Sequence, residues 1–374
     1  MNRSPKHFLT GPVGVTLFSM TIAFIMGGVI LFLAGYDPLK VYGVMVEGVF
    51  GKPKYMAWSV IKATPLIMTG LSVAFAFRTG LFNIGAEGQF ILGSTVTALL
   101  GYYLHLPALI HIPLVFFAGV FAGACWGAMA GYLKARFGIH EVISTIMLNW
   151  IALYSHNYVV AMPGFARRTN ISFDIQDSAC ITLLKHWKLS ETGRTWFAAH
   201  PVLRDIFKTP VNPGFLMAIF LVILVWYILN RTTLGYRLRA VGFNRDAAEF
   251  GGIDVKRSIV LSMFIAGGLA GAAGALQVMG VARNISTLAA MEGYGFDGIA
   301  IALIGNNSAF GCLFAGLLFG ALKFGGVRIQ SPPVRAPMEI INIMIGTIVF
   351  FIAMPRLIKM ILRWREKRRE NGNA

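Results

Sequence analysis

Apolar and polar positions fall in long blocks. After a basic start (Arg3, Lys6, His7), apolar runs cover roughly 13–34, 58–77, 85–104, 108–133, 142–162, 211–229, 258–281, 295–305, 309–327 and 337–355. A helix crossing about 30 Å of hydrocarbon needs about 20 apolar residues, so these blocks predict about ten transmembrane helices. The run 295–305 is too short to cross alone and is expected as a half-helix or re-entrant element buried by its neighbours. The first run is long and lacks a cleavage site, so it reads as a retained span rather than a signal peptide. Between the runs lie a mixed segment, 36–57, with Asp37, Lys40, Glu47, Lys52 and Lys54, and one long polar stretch, 163–210.

Composition narrows the class. Of 374 residues 56% are hydrophobic and only 13% charged, with 42 glycines and a mean hydropathy of +0.67. A soluble domain carries about 45–50% apolar and 25% charged residues, so the expected fold is an all-α polytopic membrane protein. The 33 Lys and Arg against 16 Asp and Glu give a net charge of +17. Too few residues remain to build a solvated basic face for a duplex, so nucleic acid is excluded as a partner; the charge must sit in loops and tails.

Lys and Arg of short loops collect on the cytoplasmic side. With the N-terminus inside and ten crossings, 1–12 is a cytoplasmic N-terminus, 13–355 the transmembrane domain and 356–374 a basic cytoplasmic tail (Arg356, Lys359, Arg363, Arg365, Lys367, Arg368, Arg369). The loop 231–257, with Arg231, Arg237, Arg239, Arg245, Lys256 and Arg257, also falls inside. The loop 163–210 falls outside although it holds seven basic residues against Asp174, Asp177, Glu191 and Asp205. Cys125 and Cys312 lie in apolar runs and Cys180 stands alone in a polar loop. They offer no disulfide framework and read as buried small hydrophobes.

Two stretches carry more chemistry than a lipid-facing helix needs. In Gly80-Leu-Phe-Asn-Ile-Gly-Ala-Glu-Gly-Gln89, glycines alternate with Asn83, Glu87 and Gln89 between two apolar runs. A carboxylate near the membrane interior is costly unless it faces a cavity or a partner. Either this is a tight turn with Glu87 in a hydrogen-bond network, or its polar groups lie beside a transport route at a broken helix. In 232–253, Asn244 is a good N-cap, Asp246 and Glu249 suit the helix N-terminus, Ala247 and Ala248 favour helix, and Gly251-Gly252 ends it. A short cytoplasmic helix is predicted, with small residues fit for docking into a groove on another protein.

These residues resemble the membrane-spanning permease subunit of a bacterial ATP-binding-cassette importer. The likeness is to the branch serving branched-chain amino acids, ribose-like sugars and nucleosides, and within it to nucleoside-type, simple-sugar-like permeases. It rests on Phe82-Asn-Ile-Gly-Ala-Glu-Gly-Gln89, Glu141-Val-Ile-Ser-Thr-Ile-Met-Leu-Asn149, and Leu234-Gly-Tyr-Arg-Leu-Arg-Ala-Val-Gly-Phe-Asn244 with Ala247-Ala248 and Gly251-Gly252-Ile253. Gly293-Tyr-Gly-Phe-Asp-Gly-Ile-Ala300 with Ala302-Leu-Ile-Gly305 completes it.

The resemblance implies a type II importer-like permease in the bacterial cytoplasmic (inner) membrane that moves a nucleoside, or else a simple sugar or riboflavin. Its implied partners are an ATPase subunit, a second permease in a homo- or heterodimer, an extracytoplasmic substrate-binding protein or lipoprotein, and membrane lipid. The coupling element is expected at Leu234, Gly235, Arg239, Gly242, Asn244, Ala247, Ala248 and Gly251. The transport-pathway candidates are Asn83, Glu87, Gln89, Glu141, Asn149, Asn306 and Asn342; His156 and Asn307 are further polar groups of the same kind.

Other features bear on mechanism. Gly48-Val-Phe-Gly51-Lys52-Pro53 fails as a phosphate-binding loop in spacing and final residue, so ATP is expected on a partner, with no cofactor and no catalytic residue on this chain. The seven histidines form no metal-ligand motif. Glu141-Val-Ile-Ser-Thr-Ile-Met and Glu339-Ile-Ile-Asn-Ile-Met-Ile hint at a repeat that the topology would make inverted, although chance likeness of apolar segments explains the pair as well. Lys323 either snorkels or pairs near the end of its span, or faces the pathway. An ion-coupled carrier would need titratable groups in mid-membrane, for which Glu87 is the candidate.

Overall fold

The computed structural model describes residues 12–353; the basic start and the tail 356–374 lie outside the described residues. The chain divides into two compact units, one formed by residues up to Gly51 together with those from Leu322, the other by Lys52–Ala321.

In the first unit, α1 (Pro12–Leu33) turns by 118° into α2 (Pro38–Phe50). Asp37 caps α2, its Oδ1 accepting from Leu39 N at 3.0 Å. The mixed segment therefore opens with a helix that buries Val41, Met45 and Val49. Tyr42 donates its hydroxyl to Phe24 O at 2.7 Å, and α1 packs along α15 (Met338–Ala353).

The second unit holds α3 (Pro53–Arg78), α4 (Ala86–Tyr103), α5 (Ala108–Phe137), α6 (Glu141–Val160), α7 (Glu191–Ala199), α8 (Pro201–Phe207), α9 (Gly214–Arg231), α10 (Thr233–Phe243), α11 (Arg245–Phe250), α12 (Val255–Gln277), α13 (Tyr294–Ile304) and most of α14 (Ala309–Ile329). Each predicted apolar run forms a helix within the described residues. Five of these helices are individually long and apolar enough to span: α3, α5, α9, α14, and α12 with the π-helical turn that extends it to Ala282. The run at 295–305 is the 11-residue α13, as its length required.

The core of this unit is a backbone-to-backbone contact of α4, α5 and α12. A Cβ on Gly123 would lie 2.6 Å from Gly267 O, one on Gly127 2.2 Å from Met263 O, and one on Gly93 2.5 Å from Gly271 O. Close approach of this kind replaces the hydrophobic effect as the source of helix association in lipid. The outer faces of α5 and α9 present Leu109, Phe117, Phe121, Leu216, Phe220 and Ile223 to the surroundings. Such surface suits hydrocarbon and not water. Cys312 is buried as expected, but Cys125 sits on this outward face of α5 and is exposed, because its position on the helix points away from the glycine seam.

The stretch 163–210 is folded. Strands β1 (Ala166–Arg168) and β2 (Ile171–Ser172) pair antiparallel, and Ile171 bridges on to Ser286. Ile175 N donates to Arg283 O at 2.7 Å, Gln176 N to Gly101 O at 2.7 Å and Ile181 N to Met279 O at 3.1 Å. Lys54 N donates to Asp205 at 3.3 Å. The stretch thus ties together the start of α3 and the ends of α4 and α12, fixing these as one end of the unit. At the other end Arg78 Nε donates to Asn307 O at 2.9 Å and Arg245 to Gly80 O at 3.4 Å.

Candidate functional site

Between Arg78 and α4 the chain folds back along α3 instead of turning at its end. Gly80 takes φ +69, open to glycine without strain. Asn83 Nδ2 then donates to Ser72 Oγ at 3.1 Å and to Gln89 Oε1 at 2.8 Å, while Gln89 Nε2 returns a bond to Asn83 Oδ1 at 3.0 Å. Asn149 of α6 closes the other side, accepting from Gly88 N at 2.8 Å and donating to Ile84 O at 3.0 Å. All three amides are buried.

Glu87, in the first turn of α4, is fully buried. Its two oxygens accept from Gly293 N at 2.7 Å and Gly295 N at 2.6 Å. Those donors are orphan N–H groups at the start of α13, where Gly293 (φ +86) supplies no side-chain cap. A carboxylate at a helix N-terminus also meets the positive end of the helix dipole. Thr69 Oγ1 donates to Tyr294 O at 2.8 Å, and the Tyr294 ring lies tilted against Phe90 with centroids 4.9 Å apart. Thr69 lies nine residues from Arg78 and sixteen from Pro53, about 14 Å and 24 Å at 1.5 Å per residue. The start of α13 is therefore deep within the unit.

Four of the seven pathway candidates, Asn83, Glu87, Gln89 and Asn149, are brought together here. Their hydrogen bonds are spent on holding a re-entrant segment and a half-helix in place. The other three lie elsewhere. Glu141 pairs with Lys134 across the α5–α6 turn. Asn342 is exposed on α15. Asn306 is in the turn after α13, where Asn306 and Asn307 both take φ +51 and line a cleft of about 350 Å³ with Phe77, Arg78, Arg239, Gly242 and Phe243. His156 shares a 2.7 Å bond with Thr95 and lies 3.0 Å from Ser286 O. Lys323 is half-buried and has a partner.

The short helix in 232–253 is present as α11. Asn244 Oδ1 accepts from Ala247 N at 3.0 Å, and Gly252 (φ +79) ends it with Ile253 N donating to Ala248 O at 3.0 Å. The sequence did not announce the helix before it, α10, capped by Thr232 Oγ1 on Gly235 N at 3.1 Å. A Cβ on Gly242 would lie 2.3 Å from Arg78 O, so α10 is seated directly on the end of α3. Phe243 and Phe250 are 90% and 98% exposed, and Ala248, Leu238 and Val241 are buried beneath. This is a rigidly mounted surface with two bare phenyl rings.

At the opposite end Asp177 is surrounded by basic side chains. Lys185 pairs with it, Arg283 Nη2 lies 2.7 Å away and His186 Nε2 3.6 Å. The Lys185 bond, with Arg283 and His186 beside it, holds the carboxyl below the usual carboxylate range. Three of the basic groups near this end are thereby accounted for by one acid.

Residues 55–353 match the family described as "Branched-chain amino acid transport system / permease component". The chain is 37% identical to the guanosine ABC transporter permease protein NupP of Bacillus subtilis, over 96% of this chain and 97% of that one. It is 34% identical to the nucleoside ABC transporter permease protein NupB of Lactococcus lactis, over 94% of each. To the glucose ABC transporter permease protein TsgB13 of Haloferax volcanii it is 30% identical, over 92% of this chain and 88% of that one. Each of the two bacteria also has a second, less similar permease, NupQ and NupC.

Proposed function

From the premise that the chain belongs to the branched-chain amino acid transport permease family, we propose that it is the membrane-spanning subunit of an ATP-driven importer whose solute is a nucleoside. It is a multi-pass protein of the cytoplasmic membrane and a transport component, not an enzyme; ATP is used by a separate ATPase subunit, beside a second permease. The observation that carries the solute is near full-length similarity to permeases named for guanosine and for nucleosides. A simple sugar is the second reading, favoured by the weaker likeness to a glucose permease.

In this reading the end bearing α10 and α11 is cytoplasmic and meets the ATPase. Phe243 and Phe250 enter a groove of the partner, and α10, packed on Arg78, transmits its motion to α3. The end closed by 163–210 faces outward, toward a substrate-binding protein. Amides, hydroxyls and aromatic rings suit a neutral, hydrogen-bonding solute, and an inverted repeat would put the route between its halves. The test is reconstitution of the permease pair, ATPase and binding protein in liposomes with internal ATP. Nucleoside uptake that stops without ATP is expected. Uptake by the permease alone under an ion gradient would overturn the proposal.

A further inference from the structure

Glu292 immediately precedes the Gly293 N–H that Glu87 binds, so it shares the depth of the start of α13. Unlike Glu87 it is exposed on the chain, and among the described residues no hydrogen bond or salt bridge holds it. Phe296, one turn on, is 41% exposed. Lys62 is seven residues before Thr69, on the same face of α3 two turns nearer the Pro53 end, and its charge acts on Glu292.

Hydrocarbon does not tolerate an ionisable group that is exposed and without a hydrogen bond at this depth, and a lysine two turns away does not replace one; such groups face water-filled cavities or partners. The neighbouring polar groups of Asn83, Gln89, Asn149 and Glu87 are consumed internally, which leaves the Glu292 carboxylate with free lone pairs. We propose that Glu292 lines the solute route and accepts hydrogen bonds from a pair of adjacent hydroxyls on the solute, with Phe296 offering an apolar face beside it. Two carboxylate oxygens match two neighbouring O–H donors in geometry. The hydroxyl-bearing solute rests on the nucleoside reading above; the aqueous exposure of the site does not.

The test uses the assembled transporter in liposomes, with Cys125, Cys180 and Cys312 replaced by Ser and Glu292→Cys introduced. A charged, membrane-impermeant methanethiosulfonate should label this cysteine in at least one nucleotide state, and nucleoside delivered by the binding protein should slow labelling. No labelling in any state would mean contact with lipid or with the second permease, and would overturn the proposal. Glu292→Gln, purified with unchanged thermal stability, should raise KM for a ribonucleoside roughly tenfold, the loss of one charge-assisted bond. KM for the 2′,3′-dideoxy analogue should not change. An equal change for both, or a fall in maximal rate alone, would overturn the hydroxyl contact, and this variant decides the matter if the cysteine form fails to assemble. Labelling of the Glu292→Cys variant with no nucleoside uptake by the parent transporter would sustain the aqueous route and defeat the nucleoside reading instead.

Discussion

Replacing Glu87 by Gln separates a structural from a solute-handling carboxylate. In the native protein both oxygens accept backbone N–H bonds, at 2.7 and 2.6 Å, in a position with no exposure. Gln keeps one acceptor, while its NH₂ group faces the second N–H. The variant loses one charge-assisted bond, about 1.5–3 kcal/mol, and leaves a buried donor unpaired, about 1–3 kcal/mol. A destabilisation of roughly 3–5 kcal/mol follows, a large fraction of the 5–15 kcal/mol typical of a folded domain. The assay is thermal unfolding of the detergent-purified chain followed by size-exclusion chromatography, with uptake measured in parallel. The melting temperature should fall by several degrees and protease should gain access around 287–293. A Glu87→Gln protein that melts like the parent but no longer transports would refute the capping role and return Glu87 to the solute route.

Asn244→Ala should cost about 1 kcal/mol in helix capping and weaken stimulation of the ATPase, whereas Asn244→Asp, which keeps an acceptor for Ala247 N, should restore it. Arg239→Glu or Ala247→Trp should uncouple ATP hydrolysis from uptake at normal expression; unchanged uptake in both would count against α11 as the coupling element. Gly127→Val drives a Cβ into Met263 O at a cost above about 3 kcal/mol, and should abolish the monodisperse peak in detergent, while Gly43→Val, with open space around it, should not. Asp177 has a lowered folded pKa, so its contribution is present above the unfolded value near 3.9 and fades as pH falls through the lower folded one. Because its side chain is half exposed, Asp177→Asn should lose no more than about 1 kcal/mol at neutral pH. It should also flatten the acid limb of a melting-temperature profile, an effect that high salt reduces.

The helices and several of their ends were legible from the order of residues alone. Run length against bilayer thickness located the spans and marked 295–305 as too short, and residues such as Asn244 and Gly252 act within a turn of their own position. Side-chain period along a lipid-facing helix, by contrast, is nearly silent, because every face is apolar; Cys125 could not be told from a buried residue for that reason. Contacts between segments far apart in the chain emerged only from the packing of the helices. Glu87 meets Gly293 across 206 residues, and no local signal distinguishes an acid that caps a distant half-helix from one that touches solute. The folding of 163–210 onto Gly101, Met279 and Arg283 is of the same kind. Nothing local in the sequence marks Glu292, since its depth is set by where α13 begins inside the bundle. In a membrane, polar groups must be satisfied from within the protein, so the partner of each polar residue is decided by which helices lie side by side.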